Sequence, residues 1–546
     1  MLDRAGCFWR TIRHLKPIQI YGRVWFRMAR PKPELNQAPP KRKTGGRWIA
    51  PARRKPSMMG AEAFRFLNEE GDLARGWNTT DRAKLWLYNL HYFDDLNATD
   101  ADSRRAWHIA LIDRWISENP PGQGNGWEPY PASLRIVNWV KWALSGNPLS
   151  DAAQHSLAVQ ARWLMRRLEW HILGNHLFAN AKALIFAGLY FEGQEAELWL
   201  AKGMTILGNE LPEQILADGG QFELSPMYHA LAVEDVLDLI NLAQAHPGKL
   251  TDVEKDCSAR LPSMLHWLRT MCHPDGQISF FNDAAIGIAP SPAELEDYAQ
   301  RLCVAADHRE AGGIHLKESG YVRMVSGKAV LIADVARLGP DYLPGHGHAD
   351  TLSFELSLND RRLIVNRGTS VYGIGAQRIE QRGTAAHNSI VLDGQNSSEV
   401  WSGFRVGRRA KPIVERFDGT TLIASHDGYS HLPGNPRHRR SWLLDAGKLI
   451  MTDEVTGAGR HAVDLYLHFA PGFRLRHDEG GEAFIINDES SGSSCTLALL
   501  GQAQAKVEAS NWHPEFGLEI PAAKLHIMWS GELPFRHGCV LTWGEQ

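Results

Sequence analysis

The spacing of apolar residues changes once along this chain, and that change limits the possible folds more than any other feature. From about residue 83 to 306, apolar residues recur every three to four positions, as in DAAQHSLAVQARWLMRRLEWHI. After about residue 315 the apolar runs are short and alternating or β-branched, as in TLSFELSLN and RSWLLDA. The first spacing is typical of amphipathic helices and the second of β-strands. The sequence therefore predicts a helical region followed by an all-β region.

The length of 546 residues exceeds what one hydrophobic core usually organises, so several domains are expected. We predict a basic helix and Pro-rich linker over 1–60, a helical domain over 61–312 and a β domain over 313–546. Consecutive amphipathic helices with short turns favour helix pairs stacked around an axis. Many short strands favour a large antiparallel sandwich. The predicted fold class is thus α+β and multidomain.

Charge and cysteine content exclude several classes of protein. The 59 basic and 62 acidic residues give a net charge of −3, so the overall charge gives no case for nucleic acid. A polyanionic ligand would need a local basic cleft instead. The six cysteines are scattered without a CxxC pair, which predicts neither a disulfide framework nor a cysteine zinc site.

The N-terminal segment, MLDRAGCFWRTIRHLKPIQIYGRVWFRMARPKP, is basic and aromatic. It lacks the uninterrupted apolar stretch of a secretory signal, so we expect a cytoplasmic or inner-membrane-associated protein, periplasmic only by another export route. Interleaved arginine and aromatic residues fit a helix lying on an anionic membrane, and they equally fit a helix docked on the protein. Peripheral membrane contact therefore stays open, as does the oligomeric state.

Two polar segments interrupt the helical half. Asn175 and His176 open a predicted helix in GNHLFANAKALIF, and Glu223 and Tyr228 lie in and after the turn-rich loop of DGGQFELSPMYH. Asparagine is a favoured helix N-cap, and a histidine there also fits a hydrogen-bonded core position. Polar, turn-rich loops are equally where functional side chains are displayed.

Two further segments precede strands in the β half. His346 and His348 lie in PGHGHADTLSFEL, and because they are two residues apart they point the same way in an extended chain. Arg382 and His387 lie in RGTAAHNSIVLDG. With one more oxygen ligand, His348 and His387 have the residue types of a metal site.

These four segments, in this order, resemble the heparinase II/III-like polysaccharide lyases of bacterial exopolysaccharide clusters. The similarity runs over most of the chain from about residue 83, and its most specific parts are GHGHADTLSFEL, RRLIVNRGT and TAAHNSIVLDG. The resemblance implies an incomplete α/α toroid followed by an antiparallel β-sandwich. It also implies β-elimination on an acidic, uronate-containing polysaccharide, leaving unsaturated uronate ends.

The resemblance also implies roles for individual residues. Tyr228 matches the catalytic tyrosine of the family, and His346 matches the histidine of the sandwich that faces the cleft. His176, or its neighbour Asn175, matches the position that neutralises the uronate carboxylate or serves as the base. We expect Tyr228 to act as the acid, with either His346 or His176 as the base.

A structural metal is implied for some members of the family. His348 and His387 match two of its ligands, while the third position, an aspartate in those members, corresponds here to Asn366. A neutral amide is a weaker zinc ligand than a carboxylate. A divalent metal, zinc or calcium, is therefore left open for this chain.

β-Elimination sets chemical requirements that the candidates meet. The C5 proton of a uronate is barely acidic while the neighbouring carboxylate is charged, so oriented donors must neutralise that group. Asn175, His176 and Arg135 are our candidates for this role. A tyrosine can serve as both base and acid in a syn elimination if nearby positive groups lower its pKa. Glu223 and Arg382 are predicted to contact the substrate.

Two other functions remain open. Glycoside hydrolysis on a helical toroid needs two placed carboxylates, and Glu128, Asp218 and Glu223 are available for it. A non-catalytic glycan-binding or assembly protein of an exopolysaccharide pathway is the alternative outside enzymes. The products distinguish them, because only a lyase forms an unsaturated uronate.

Overall fold

The computed structural model describes residues 2–304, 312–481 and 483–544. Twelve α-helices and 21 β-strands lie within these ranges. The helices are α1 (Leu2–Ile12), α2 (Pro17–Met28), α3 (Lys84–Tyr92), α4 (Arg105–Glu118), α5 (Pro129–Leu144), α6 (Asp151–Arg166), α7 (Gly174–Tyr190), α8 (Gln194–Gln214), α9 (Pro226–Ala245), α10 (Thr251–Thr270), α11 (Pro292–Arg301) and α12 (Ala376–Arg382). The strands are β1 (Ala63–Phe66), β2 (Glu69–Asp72), β3 (Ile314–Leu316), β4 (Tyr321–Ser326), β5 (Ala329–Asp334), β6 (Phe354–Leu358), β7 (Arg361–Ile364), β8 (Ile390–Leu392), β9 (Val400–Trp401), β10 (Arg405–Val406), β11 (Pro412–Phe417), β12 (Thr421–His426), β13 (Arg437–Asp445), β14 (Lys448–Thr456), β15 (Arg460–His468), β16 (Phe473–His477), β17 (Ala483–Asp488), β18 (Ser494–Leu500), β19 (Gln504–Trp512), β20 (Ile520–Glu532) and β21 (Phe535–Trp543).

The helical domain is built from sequential helix pairs. Helices α5, α7 and α9 are buried along most of their residues, and α8 and α10 pack beside α7 and α9. Two glycines allow α7 and α8 to approach closely: a Cβ at Gly188 would lie 2.7 Å from the backbone nitrogen of Leu200, and one at Gly203 would lie 2.7 Å from the carbonyl oxygen of Ala181. The predicted stack of paired helices is therefore confirmed.

The β domain consists of antiparallel sheets that face a common core. The largest has eight strands in the order β11-β12-β13-β14-β21-β18-β17-β16. A five-stranded sheet, β3-β4-β5-β6-β7, and a four-stranded sheet, β19-β20-β15-β8, complete it. Buried residues alternate along β13 and β14, as the period of two requires, and side chains such as Trp442, Phe354 and Leu465 pack between the sheets.

A small apolar cluster joins the two domains. Trp267 of α10 and Leu224, in the loop before α9, pack against Tyr321 of β4. The Tyr321 hydroxyl donates to the Leu224 carbonyl oxygen at 2.6 Å. Because this contact is buried and hydrogen-bonded, it fixes the loop before α9 relative to the β domain.

The N-terminal segment contains two helices, whereas the sequence predicted one basic helix. An extended strap over the helical domain follows the second helix. The helix pair contacts the helical domain through an ion pair of Lys16 with Glu213, and it contacts the β domain at several points. Gln19 donates to the Tyr342 carbonyl oxygen at 3.1 Å, and Arg10 forms an ion pair with Glu399. Trp401 donates from its indole nitrogen to the hydroxyl of Thr11 at 3.0 Å. None of the helices in the described ranges is both long enough and apolar enough to cross a membrane.

Candidate active site

A cleft lies between the helical domain and the β domain. It comprises a cavity of about 1260 Å³ and an adjoining one of about 440 Å³, and both are lined by Tyr130, Asn175, Tyr228 and Tyr372. Five of the predicted site residues border this space, and they come from both domains: Asn175, His176, Glu223, Tyr228 and His346.

Tyr228 lies in the first turn of α9. Ser225 caps this helix, its hydroxyl accepting from the Tyr228 backbone nitrogen at 3.2 Å. The Tyr228 ring lies 3.9 Å from that of His346, and its hydroxyl is 3.1 Å from that of Tyr372. Burial, together with Tyr372 and Asp283, raises the pKa of Tyr228 well above its usual value. The condition under which Tyr228 would serve as both base and acid is therefore not met here, and the tyrosine is held as a proton donor.

His346 is held between two carboxylates. Its Nδ1 is 2.9 Å from Asp283 Oδ2, and its Nε2 is 3.4 Å from Glu223 Oε2. The side chain is 14% exposed, so the ring borders the cleft without being free to rotate into solvent. Because Asp283 fixes Nδ1, the nitrogen that is left to face the cleft and Glu223 is Nε2.

Asp283 is the central charge of the site, and the sequence analysis missed it. Its carboxylate is fully buried and accepts hydrogen bonds from both terminal nitrogens of Arg378. The distance from Arg378 Nη2 to Asp283 Oδ2 is 2.7 Å. The other carboxylate oxygen lies 2.8 Å from His348 Nε2. Burial alone would raise the pKa of Asp283, but Arg378 and the two histidines hold it well below its usual range. The carboxylate thus stays ionised and orients both histidines.

Asn175 and His176 enter the cleft from the start of α7. The preceding Gly174 has a φ of +57°, and a Cβ there would lie 2.3 Å from the Leu343 side chain, so this turn favours glycine. His176 Nδ1 is 3.0 Å from a carboxylate oxygen of Glu169. Burial lowers the pKa of His176, but Glu169 outweighs it and the net shift is upward. The imidazole that faces the cleft is therefore more readily protonated than an isolated histidine.

Glu223 is buried against the other site residues. Its Oε1 accepts from the Asn175 backbone nitrogen at 3.4 Å, and Leu224 after it has a φ of +59°. Its Oε2 has no hydrogen-bond partner in the described part of the chain. This buried oxygen lies 3.4 Å from His346 Nε2, so its nearest charged neighbour is the imidazole that borders the cleft.

Arg135 does not reach the cleft, so its predicted contact with the substrate is wrong. The guanidinium is fully buried and donates to the carbonyl oxygens of His91 at 3.1 Å and Gly126 at 2.7 Å, and to Gln160. It also lies over the Trp115 ring, 3.8 Å from the centroid. The side chain points into the helical core, because α5 is an inner helix that is buried on all sides.

The predicted substrate contact of Arg382 is also wrong. This side chain is fully buried and donates from Nη2 to the Gly347 carbonyl oxygen at 2.8 Å and from Nη1 to that of Ser402 at 3.3 Å. Burial and the nearby Arg378 lower the pKa of Arg382 to about 9. Its role is to brace the segment that carries His346.

His348 and His387 meet behind the cleft with Asp350. One ligand atom from each of the three lies within 4.8 Å of the others, and His348 Nδ1 is 3.2 Å from His387 Nε2. A tetrahedral zinc with bonds of about 2.0–2.1 Å places two nitrogens about 3.3 Å apart, so these donors fit zinc. Asn366, which matches the third ligand position of the family, has its side-chain oxygen 3.3 Å from the Asn388 backbone nitrogen and its amide nitrogen 3.4 Å from the Ser353 hydroxyl.

The carboxylates suggested for hydrolysis are not assembled into a pair. Glu128 accepts from Tyr88 and Lys84, and Asp218 accepts from the backbone and hydroxyl of Ser319. Neither lines the cleft, where only Glu223 of the three is found.

Tyr372 is a second residue that the sequence analysis missed. It lies in a glycine-rich loop between β7 and α12, a context that gives no signal of function. In the structure its hydroxyl meets that of Tyr228, and the Arg378 guanidinium lies 4.9 Å from its ring centroid. Contacts between residues so far apart in sequence are decided by the fold.

Comparison with known families agrees with this architecture. The family described as "Heparinase II/III N-terminus" matches residues 82–301, and "Heparinase II/III-like, C-terminal" matches residues 308–538. The chain belongs to the heparinase II/III-like family. The matched ranges contain Asn175, His176, Glu223, Tyr228 and His346, while α1 and α2, which also line the cleft, lie outside them.

Individual relatives are distant. The chain is 25% identical to a heparin-sulfate lyase of Bacteroides stercoris over 350 residues, which cover 60% of this chain and 50% of that protein. It is 27% identical to "FtsZ-localized protein C" of Caulobacter vibrioides over 489 residues, covering 83% and 79%. A crystal structure of heparinase III superposes with a TM-score of 0.69 at 18% identity, over 86% of this chain and 80% of that one. This likeness confirms the predicted toroid and sandwich fold. The chain spans about half the length of the heparin-sulfate lyase.

Proposed function

We propose that this protein is a polysaccharide lyase that cleaves a uronate-containing acidic polysaccharide by β-elimination. The observation that carries the proposal is the contact of Tyr228 with His346 at 3.9 Å, since it joins a proton donor of one domain to an oriented imidazole of the other. The family membership of the chain supports the same reaction. A bacterial acidic exopolysaccharide is the substrate class that we propose first.

Substrate activation is the task of the α7 end of the cleft. The uronate carboxylate must lose its effective negative charge before C5 gives up its proton. The cationic form of His176, supported by Glu169, supplies a positive group, and the neighbouring Asn175 supplies an amide donor. These two residues therefore stabilise the enolate-like intermediate.

Proton transfer is the task of His346 and Tyr228. His346 Nε2 accepts the C5 proton, and the electron pair of the C5–H bond forms the double bond between C4 and C5. The C4–O bond breaks, and its electron pair stays on the leaving oxygen, which takes the hydroxyl proton of Tyr228. The raised pKa of Tyr228 keeps that proton in place until the leaving oxygen needs it.

The direct test measures the ultraviolet absorbance of the unsaturated uronate over a panel of acidic polysaccharides. We expect product with the wild type and a rate lowered about 10²–10⁴-fold by Tyr228→Phe. Tyr466→Phe, in β15 and outside the cleft, is the matched control and should keep the wild-type rate. Cleavage without an unsaturated product would support a hydrolase, and binding without cleavage would support a glycan-binding or assembly protein.

We also propose that His348, His387 and Asp350 hold one structural zinc ion. Two imidazole ligands favour zinc over calcium, which prefers oxygen ligands. The ion would fix the strand ends behind the cleft. Metal analysis of the purified protein should give about one zinc per chain for the wild type and Asn366→Ala, and much less for His387→Ala. Equal zinc in all three would refute this ligand set.

The outward face of α2 supports a further proposal, contact with an anionic membrane surface. Trp25 is 71% exposed and Met28 is 74% exposed, and exposed Arg30 and Lys32 follow them. An apolar face next to basic residues is typical of helices that lie in the lipid interface. Trp25→Ser should abolish sedimentation with vesicles containing phosphatidylglycerol, whereas Leu198→Ser, an exposed leucine on α8, should not. Unchanged sedimentation of Trp25→Ser would refute the contact.

A further inference from the structure

The N-terminal helix pair forms one wall of the cleft. Side chains of α1 and α2 line the same cavity as His176, Tyr228 and His346. The pair is fixed to the β domain through Arg10 and Glu399. These helices lie before residue 82, where the match to the family begins.

Helix α2 is held against the segment that leads into the catalytic helix α7. The Phe26 ring lies 4.1 Å from that of His171. At Gly22, a Cβ would lie 3.4 Å from the His171 backbone nitrogen, so the helix backbone itself approaches this segment. His171 is five residues before His176. The position of α2 is therefore set relative to the residue that we assign to the uronate carboxylate.

Arg23 and Arg27 are the cations that α2 contributes to the cavity lining. Both side chains are exposed, and neither has a hydrogen bond or ion pair within the described ranges. They are four residues apart, which places them about 6 Å apart along one side of the helix. Two other basic residues of this N-terminal segment are already paired: Arg10 forms an ion pair with Glu399, and Lys16 forms one with Glu213.

The acidic residues of the cavity lining do not neutralise these two arginines. Asp341 forms an ion pair with Arg409, and Glu69 forms one with Arg82. Glu519 accepts from Asn511. Glu223, the fourth, accepts from the Asn175 backbone nitrogen through Oε1, and its Oε2 lies 3.4 Å from His346 Nε2. Two unpaired guanidinium groups therefore line a cleft in which each acidic side chain of the lining already contacts another residue of the protein. A carboxylate or sulfate group could bind to these two arginines, since a guanidinium group binds such anions through paired N–H donors.

We propose that Arg23 and Arg27 form a binding subsite for an anionic group, carboxylate or sulfate, on a sugar unit beside the one that is cleaved. This inference rests on the proposed function, because it assigns the cleft to an acidic polysaccharide. The subsite adds affinity and selects for charge at a unit that does not react. It does not take part in proton transfer.

The test separates binding from cleavage. In the Tyr228→Phe background, calorimetry at low salt measures the Kd of a uronate-containing oligosaccharide in the absence of vesicles. Adding Arg23→Gln and Arg27→Gln together should weaken binding about tenfold or more, since each removes a charged hydrogen bond. The matched control adds Arg13→Gln and Arg30→Gln, exposed arginines of the same segment that do not line the cavity, and should leave the Kd unchanged.

A second ligand and a rate measurement complete the design. With the carboxyl-reduced oligosaccharide, the Arg23/Arg27 pair of substitutions should have little effect on the Kd. With Tyr228 intact, the same pair should raise KM and leave kcat unchanged. An unaltered Kd for the acidic oligosaccharide would overturn the subsite while leaving the lyase intact. If the wild type neither binds nor cleaves any acidic polymer, the proposed function is overturned. The subsite proposal then falls as well, because it rests on that function.

Discussion

Replacing Asp283 by asparagine is the sharpest test of how this site is built. The substitution keeps the size of the side chain and removes the only negative charge that faces Arg378 at hydrogen-bond distance among the described residues. Both side chains are fully buried. Breaking a buried ion pair by removing one partner costs about 3–5 kcal/mol, because the other charge is left uncompensated. We expect Asp283→Asn to lower the free energy of unfolding by about this amount.

A double variant separates stability from function. Adding Arg378→Met removes the uncompensated charge and keeps apolar contact with Tyr372 and Phe404, whose ring centroids lie 4.9 and 5.1 Å from the guanidinium. Most of the lost stability should return, since an apolar pair often replaces a buried ion pair at little cost. Activity should not return, because His346 still lacks the carboxylate that holds its Nδ1.

The assays are urea unfolding followed by tryptophan fluorescence, and kcat and KM for unsaturated product formation. We expect kcat to fall about 10²–10⁴-fold in both variants with KM nearly unchanged, as for a residue that positions a base. The control is Asp341→Asn, which removes an exposed carboxylate paired with Arg409 and should cost less than about 1 kcal/mol. A normal kcat in folded Asp283→Asn would refute the positioning of His346. A double variant no more stable than the single one would refute the electrostatic reasoning.

Two further predictions concern His176 and Arg135. Because the pKa of His176 is raised above its ordinary value of 6.5, its positive charge is lost as the pH rises through a window above 6.5. KM for an acidic polymer should therefore increase with pH over that window in the wild type and stay high and flat in His176→Gln; a pH-independent wild-type KM would contradict this. Arg135→Met should lower the free energy of unfolding by about 2–4 kcal/mol, because the acceptors on His91 and Gly126 lose their donor, and should leave KM unchanged. A raised KM in folded Arg135→Met would restore a role in substrate binding.

The sequence by itself determined the order of the two domains and several of the residues that meet in the cleft. The change from a period of about 3.6 to a period of two is local, so it predicted helices before about residue 306 and strands after about residue 315. The polar loops before α9 and β6 are also local signals, and they led to Tyr228, Glu223 and His346. Side chains displayed at helix starts and strand ends could thus be identified before any contact was known.

Only the tertiary structure decided which charges are buried and which face the cleft. Arg135 and Arg382 resemble surface arginines in sequence, yet both are buried in the structure. Arg23 and Arg27, in contrast, line the cavity. They lie on a helix that the sequence predicted only to dock on the protein or to lie on a membrane. Asp283 gains its importance from Arg378, a residue 95 positions away. The physical reason is that burial and the pairing of charges depend on contacts between distant segments, and the local pattern of residues does not contain them.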